Sequence, residues 1–294
     1  MTQRPSRNGG SVLVAALWLV SLLGLVGLSL SSAARESARL TDRRWKTARR
    51  NQEAKKAVLL LESLWAASTA SVTTAGELAR WSAEAGEGVS ILDESSRINL
   101  NTASTDTLRR LLGSDTAAAG VGDWRDADDR PRFDGAEKTY YASLGRPYPC
   151  HNGPLAAVEE LLLIKGVTPA LYERVKERVT VWGDGKINLN TVSSDTLRDL
   201  GFSAGTAERV AAFRRGPDGR WGTVDDGVFR RRNEAPDFLP ENELRRWNAL
   251  APFLSVRGSA YRLDFPASAG VPRLRVVVTT DGKGIGAWRE GGGG

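Results

Sequence analysis

The chain has 294 residues, of which 41% are hydrophobic and 26% are charged, and its formal net charge at pH 7 is +6. The positive charge is concentrated in residues 35–56, which hold nine Lys and Arg against three acids, whereas residues 57–294 hold 30 basic and 32 acidic residues. A nucleic-acid-binding domain concentrates basic charge on the face that meets phosphate, so this distribution argues against nucleic acid as a partner. The single cysteine excludes an intrachain disulfide.

The N-terminal part of the chain contains an uncharged run, residues 11–34. About 20 helical residues suffice to cross a bilayer at roughly 1.5 Å per residue, so the run predicts a transmembrane helix. No proline occurs between Pro5 and Pro131, and good helix formers continue after the run. We therefore predict one helix from Ser11 to about Ala67, roughly 85 Å long.

Two observations leave other topologies open. Ser31, Ala33 and Ala34 are small residues of the kind found at a signal-peptidase cleavage site; a removed signal peptide would leave a secreted, calcium-stabilised binding module. The nine basic residues of 35–56 also outnumber Arg4 and Arg7 on the other side of the run. The positive-inside rule places the more basic side in the cytoplasm.

A repeat follows, because residues 97–111 (RINLNTASTDTLRRL) recur as residues 186–200 (KINLNTVSSDTLRDL). Each copy predicts a short strand that leads into a helix, with a serine as N-cap and an aspartate in the first turn. These residues are Ser104 with Asp106, and Ser193 with Asp195. The repeat predicts two related helical modules. Helix-hairpin-helix DNA-binding proteins begin in the same way, so the repeat alone leaves both functions open.

Strand patterns flank the two modules. Val89 and Ile91 are predicted to form a hairpin with Ile98 and Leu100. Beyond residue 250, alternation of apolar and polar residues predicts an antiparallel meander, covered on one face by the second half of the long helix. Its four segments are 254–257, 260–265, 274–278 and 285–288. The fold class is therefore α+β, with the helical modules inserted between the first strands and the final sheet.

Two loops are rich in carboxylates and are candidate calcium sites, since calcium takes six to eight oxygen ligands. The first contains Asp123, Asp126, Asp128, Asp129, Asp134 and Glu137, and the second contains Asp218, Asp225 and Asp226. The first loop is not an EF-hand, because Arg130 stands where an EF-hand loop has a ligand and Pro131 stands where it has its invariant glycine. The second is slightly favoured for its turn-rich sequence. The alternative is that both are solvated acidic loops paired with nearby arginines.

Catalytic residues are not indicated. The one cysteine, Cys150, and the one histidine, His151, are neighbours in a proline-rich segment. A nucleophile and its base need a third group to orient them in a cleft, and adjacent residues usually point apart. The sequence therefore predicts no enzyme.

The N-terminus resembles the type IV prepilin and pseudopilin class, in which a short leader ends in glycine before a long apolar helix. Here Gly10 would be the last leader residue and Ser11 the first mature one. Members of the class carry glutamate five residues after the cut, whereas this chain has Ala15. The K-type minor pseudopilins of type II secretion systems lack that glutamate. A subunit at the filament tip has no subunit above it whose amine would pair with the acid, so burying the acid would only cost desolvation.

Three later motifs extend this resemblance to the K-type family over nearly the whole chain: the acidic Trp-containing segment 123–129, Gly-Ala-Glu with paired tyrosines at 135–141, and a Glu-Leu helix that ends in Gly-Val-Thr at 158–168. The resemblance implies a pilin-like fold with SAM-like or helix-hairpin-helix insertions. The implied boundaries are 1–10 for the leader, 11–34 for the membrane span, 35–101 for the pilin-like helix and first strands, 102–182 and 183–250 for the modules, and 251–290 for the final sheet.

The function implied by the resemblance is that of a pseudopilus tip subunit, which initiates or caps assembly and supports protein export. It implies cleavage by prepilin peptidase, N-terminal methylation, bound calcium, an anchor in inner-membrane lipid and a periplasmic location for most of the chain. The implied partners are the I-type and J-type minor pseudopilins and other pseudopilus and inner-membrane secretion components. The alternative is a membrane-tethered helix-hairpin-helix DNA receptor of the competence type, which would be basic after residue 57.

Overall fold

The computed structural model describes residues 9–67, 72–221, 223, 225–267, 271–280 and 285–290. The chain forms two compact units, one of residues 1–55 with 267–271 and the other of residues 56–266 with 272–294. The described helices are α1 (Gly9–Ala67), α2 (Ala75–Ala85), α3 (Thr105–Leu112), α4 (Asp115–Arg125), α5 (Lys138–Ala142), α6 (Pro169–Val175), α7 (Ser194–Asp199), α8 (Ala204–Arg215) and α9 (Leu244–Leu250). The described strands are β1 (Ser90–Asp93), β2 (Ile98–Asn99), β3 (Val179–Thr180), β4 (Ile187–Asn188), β5 (Leu254–Ser255), β6 (Ala260–Phe265), β7 (Leu274–Thr279) and β8 (Ile285–Glu290).

Helix α1 is continuous over 59 residues, which confirms the predicted long helix to Ala67. Its N-terminal part belongs to the first unit and its residues from Lys56 onward to the second. Within the second unit, Ala57, Val58 and Leu61 are buried. The Arg257 guanidinium stacks over the ring of Trp65 at 4.2 Å and donates to the Trp65 carbonyl at 3.2 Å. The last turns of α1 are therefore part of the packed second unit.

The main sheet has four antiparallel strands in the order β1-β6-β7-β8. The meander predicted for β6, β7 and β8 is confirmed. The predicted hairpin between the segments around Ile91 and Ile98 is wrong, because β1 pairs with β6 and β2 pairs in parallel with β3. Asp93 explains the change in direction: its carboxylate accepts from the Ser95 amide at 2.8 Å and begins a 3-10 turn, Glu94–Ser96, that separates the two strands.

The first segment predicted for the meander also lies elsewhere. Strand β5 pairs in parallel with β4, in the register Ile187 to Leu254. The amide of Leu189 then donates to the carbonyl of Ser255 at 2.9 Å. Alternation of side chains indicates an extended segment but not its neighbour, so the sequence pattern could not distinguish these two pairings.

Helix α2, Ala75–Ala85, is not among the predicted elements. A capping box begins it, since Thr74 Oγ1 accepts from the Glu77 amide and Glu77 Oε2 accepts from the Thr74 amide. Trp81 is buried and its ring meets the ring of Tyr261 in the sheet edge-to-face, with centroids 5.8 Å apart. Helix α2 thus packs on the sheet, where the prediction placed the second half of the long helix.

The helical modules lie between β2 and β5 and share one continuous hydrophobic core. The predicted N-caps are confirmed: Ser104 Oγ accepts from the Thr107 amide at 3.1 Å, and Ser193 Oγ accepts from the Thr196 amide at 3.0 Å. Thr168 caps α6, since its side chain accepts from the Leu171 amide. The segment before it is a 3-10 helix, Val158–Leu163, rather than an α-helix. Gly166 adopts a left-handed conformation between these two helices, with φ +84°.

Candidate functional site

The first functional feature is the apolar part of α1. Its large side chains from Leu13 to Leu30 are exposed, most of them by 60% or more. The apolar stretch has a mean hydropathy of 2.4 and is long enough to cross a membrane. Such a continuous apolar surface requires an apolar environment. Of the processing residues, Gly10 and Ser11 lie in the first turns of α1, but their side chains are outside the described residues. Ala15 is exposed on the helix.

The second feature is a convergence of carboxylates from the first acidic loop. Oxygens of Asp126, Asp128 and Glu137 lie within 4.8 Å of one another. Asp126 caps the end of α4, and Glu137 precedes the first residue of α5. The end of α4 and the start of α5 therefore bring Asp126 and Glu137 together, although they are eleven positions apart in the sequence. Within the described ranges this is the one group of three such ligands at that spacing.

Asp123, the first carboxylate of the predicted cluster, lies outside this group of three. It is fully buried, and its carboxylate accepts from the Ala136 amide at 2.7 Å, from the Arg132 amide at 3.2 Å and from Arg132 Nη1 at 2.7 Å. The carboxylate of Asp123 is therefore already bound by an ion pair with Arg132 and by two backbone amides. Arg132 also donates to Asp126 at 2.5 Å, so this arginine ties the 130–136 loop to the end of α4.

The remaining predicted residues lie at the margin of the cluster. Asp129 Oδ1 accepts from Asn152 Nδ2 at 2.9 Å, and the Asp128 carbonyl accepts from the same nitrogen at 3.0 Å. Asp134 and Asn152 both have positive φ, at 61° and 47°. Asn152 is not among the residues that the sequence pattern indicates. The Asn-Gly pair in the loop signalled its left-handed conformation, but nothing local signalled its contact with residues 128 and 129.

The chemistry of this site suits a hard cation. Three buried oxygens have no hydrogen-bond partner among the described residues: Asp126 Oδ1, Glu137 Oε1 and Asn152 Oδ1. Burial, together with the negative charges of Asp123 and Asp126, raises the pKa of Glu137 to about 7. Unpartnered oxygens and an acid that resists ionisation are both costly for a folded protein. A bound cation would remove both costs, since carboxylate and amide oxygens are calcium ligands.

The second acidic loop is arranged differently. Asp218 Oδ1 accepts from the Arg220 amide at 2.7 Å, and Asp225 Oδ2 accepts from the Asp218 amide at 3.0 Å. Thr223 Oγ1 donates to Asp225 Oδ1 at 2.6 Å and contacts Asp226 at 3.2 Å. In the part of this loop that the structure describes, the carboxylates close a turn and do not converge as the first group does.

The lone cysteine and histidine have separate partners. Cys150 Sγ lies 3.7 Å from Glu137 Oε2, and burial raises the pKa of its thiol. His151 Nδ1 lies 2.9 Å from Glu160 Oε2, which also accepts from Trp124 Nε1 at 3.0 Å. A thiol with a raised pKa is a poor nucleophile, and the imidazole contacts a different carboxylate. This arrangement provides no activated nucleophile.

Known proteins match both the sequence and the fold. Residues 96–184 match the family model of the type II secretion system (T2SS), protein K. Type II secretion system protein K of Klebsiella pneumoniae is 37% identical over 79 residues, which cover 26% of this chain and 24% of that protein. The putative type II secretion system protein K of Escherichia coli strain K12 is 35% identical over 77 residues, with the same coverage of 26% and 24%. The aligned part thus spans about a quarter of the length of these relatives.

The fold matches over a much longer part of the chain. The crystal structure of the GspK-GspI-GspJ complex from the enterotoxigenic Escherichia coli type 2 secretion system contains a chain that matches 88% of this one, with 99% of that chain covered, a TM-score of 0.63 and 18% identity. At this identity the likeness concerns the fold. The shared fold is α+β, with a long N-terminal helix and a small antiparallel sheet.

Residues 96–184 are thus similar to the type II secretion system protein K family, which is the resemblance that the motifs of the sequence predict. These matches lend no support to the alternative of a competence-type DNA receptor.

Proposed function

We propose that this protein is a minor pseudopilin at the tip of a type II secretion pseudopilus, where it initiates or caps assembly and so supports protein export. The fold carries the proposal: the chain matches 99% of a chain of the GspK-GspI-GspJ complex. The partners are accordingly the I-type and J-type minor pseudopilins, with other pseudopilus and inner-membrane secretion components in the same assembly.

The apolar part of α1 supports a single-pass anchor in the inner membrane, because its large side chains are exposed over the whole run from Leu13 to Leu30. Prepilin peptidase would cut between Gly10 and Ser11, and the new N-terminus would be methylated. Most of the chain would then lie in the periplasm. Ala15 supports the tip position, because an acid there would be buried in lipid without an amine above it.

The two inserted modules are proposed to be SAM-like or helix-hairpin-helix units that contact protein rather than DNA. A fold of this kind does not determine its ligand. The charge of residues 57–294, with 30 basic and 32 acidic residues, is unsuited to phosphate. The added bulk of two modules also suits the end of a filament better than its body.

Calcium is the proposed ligand of the first acidic loop. Asp126, Asp128 and Glu137 would hold the ion, and the unpartnered oxygens of Asp126 and Glu137 support this assignment. The bound ion would supply positive charge between the end of α4 and the start of α5. The second loop, with Asp218, Asp225 and Asp226, is kept as a second candidate because its turn offers carboxylates and backbone carbonyls.

The mature N-terminus provides the first test of this function. Membranes from the native host with its prepilin peptidase intact are extracted, and the N-terminal peptide is identified by mass spectrometry. We expect a methylated N-terminus at Ser11, and an unprocessed chain in a host that lacks the peptidase. A mature protein that begins near Arg35 would instead mean that a signal peptide is removed, and the tip-subunit function would be lost.

The second test addresses the partners. The full chain is co-expressed with the I-type and J-type pseudopilins of the same host, and complexes are isolated from detergent extracts. We expect a complex of all three, and loss of export on deletion of this gene. Export that continues at the wild-type level without this chain would contradict the proposed function.

A further inference from the structure

A group of basic residues immediately beyond the membrane span has no role in the function proposed so far. Residues 35–56 of α1 hold nine Lys and Arg and three acids. If the span is inserted as a pseudopilin, these cations face the periplasm, contrary to the positive-inside rule. Such an arrangement needs a compensating interaction, and the helix geometry indicates which one.

Four of the cations lie on one face of α1. Arg35, Arg39, Arg43 and Lys46 follow one another at spacings of four, four and three residues, which places them along one side of a helix. We name these four residues the basic stripe. It begins one residue after the uncharged run ends and extends for roughly 16 Å along the helix.

The basic stripe is exposed and mostly unneutralised. All four residues are solvent-exposed. Lys46 pairs with Asp42 at 2.7 Å, and Arg35 donates to Ser31 Oγ at 3.0 Å. In the described part of the chain, Arg39 and Arg43 form no ion pair. Two full positive charges and the hydroxyl-bound guanidinium of Arg35 are therefore available to an external anion.

The position of the basic stripe matches the headgroup layer of a bilayer. That layer is about 5–7 Å thick on each side of a hydrocarbon core of about 30 Å. Arg35 and Arg39 lie within about 8 Å of the end of the uncharged run at a helical rise of 1.5 Å per residue. The side chain of Arg43 reaches back toward the same layer. Guanidinium groups bind phosphate oxygens in a bidentate geometry.

We propose that the basic stripe binds the headgroups of anionic phospholipids and holds α1 upright in the membrane before the subunit enters the pseudopilus. This inference rests on the proposed function, since it requires that α1 is a membrane anchor. Charge complementarity and direct continuity with the apolar run favour lipid over an acidic protein surface. Anionic headgroups also explain how the basic flank is tolerated on the outer side of the span, because they neutralise it there.

Lipid selectivity of the full chain provides the test. The protein is reconstituted into phosphatidylcholine vesicles that contain a trace of spin-labelled phosphatidylglycerol or spin-labelled phosphatidylcholine, and the motionally restricted lipid is measured. We expect phosphatidylglycerol to be preferred by at least about threefold. A single Lys or Arg near an anionic membrane surface is enough for a preference of about that size. The preference should fall as salt is raised toward 1 M.

A charge-matched pair of variants makes the result specific. The variant R35Q/R39Q/R43Q/K46Q should bind both lipids equally. The control R44Q/R49Q/K55Q/K56Q removes four cations from other positions in residues 35–56 and should keep most of the preference. Equal association of both lipids with the wild type, or an equal loss in both variants, would overturn the proposal. So would a four-residue stripe variant that keeps its lipid preference and instead loses the I-type and J-type partners, because the stripe would then be a protein-binding surface.

The same experiment separates this inference from the proposed function. A protein that enters the vesicles and resists alkaline extraction, but shows no lipid preference, would refute the lipid site and leave the anchor intact. A protein that alkaline carbonate releases from the vesicles would refute the anchor itself, and the inference with it.

Discussion

Asn101 holds the backbone of Leu155 through both ends of its amide: Nδ2 donates to the Leu155 carbonyl at 3.0 Å, and Oδ1 accepts from the Leu155 amide at 2.8 Å. Asn190, its equivalent in the second repeat, holds Phe229 in the same way, with both distances 2.9 Å. The second asparagine of the repeated Ile-Asn-Leu-Asn string is thus a clamp on a distant loop. Its function is structural in both copies.

The clamp predicts a large effect of N190A on stability. The substitution would remove both hydrogen bonds that the Asn190 side chain makes with the buried backbone of Phe229, at a cost of about 2–4 kcal/mol. N248A, at an exposed position of α9, is the control and should change stability by less than about 0.5 kcal/mol. Urea denaturation of both variants measures the difference. Equal stability of the two would show that water or a shifted loop replaces the clamp.

Gly135 should tolerate no side chain. A Cβ at this position would lie 1.9 Å from Asp123 Oδ2 and 3.2 Å from the Arg132 amide. Because Asp123 is buried and fixed by hydrogen bonds, we expect G135A to destabilise the protein by about 1–3 kcal/mol. G145A is the matched control, since a Cβ there meets nothing within 4 Å and the residue has no positive φ. A thermal unfolding midpoint for G135A as high as that of G145A would contradict the close packing of Gly135 against Asp123.

Calcium should stabilise the protein through the first acidic loop. We expect the unfolding midpoint to rise with calcium after chelation, since a ligand that binds only the folded state stabilises it by mass action. E137Q should abolish most of that rise because Glu137 offers an unpartnered buried oxygen. D218N changes the second loop in a comparable way and should retain the rise. Retention in E137Q with loss in D218N would assign the ion to the second loop instead.

Asp93 predicts a specific pH dependence. Burial raises its pKa to about 6, although Asn188 Nδ2, Thr191 Oγ1 and the Ser95 amide all donate to it. The folded state therefore holds this proton more tightly than the unfolded state. The stabilisation is complete below about pH 4 and is lost as the pH rises to about 6, with a total on the order of 2–3 kcal/mol.

The variant D93N isolates this contribution. Other carboxylates act in the opposite direction: the hydrogen bond from Arg110, for example, lowers the pKa of Asp106. As the pH rises from 4 to 6, the wild type should lose unfolding free energy relative to D93N. Above pH 7 the difference between the two proteins should be constant. A difference that does not vary with pH would mean that Asp93 titrates at an ordinary value.

Local features of this protein were predictable to different extents. The caps at Ser104 and Ser193 were correct because a cap depends on atoms within three residues. The pairing of β1 was not, because it depends on a turn begun by the buried Asp93 and on a partner strand about 170 residues away. The acidic loop shows the same division. Its composition indicated a cation site, but only the fold shows that Asp123 is neutralised by Arg132 while Asp126 and Glu137 retain unpartnered oxygens.

The sequence by itself determined the apolar span, the continuous helix and the repeated strand-to-helix units, because each is encoded in neighbouring residues or in a fixed spacing. Only the tertiary structure decided which strands pair, which helix covers the sheet and which carboxylates converge. These outcomes depend on contacts between distant segments, where buried hydrogen bonds such as those of Asn101 and Asn190 select one arrangement among several that the local pattern allows.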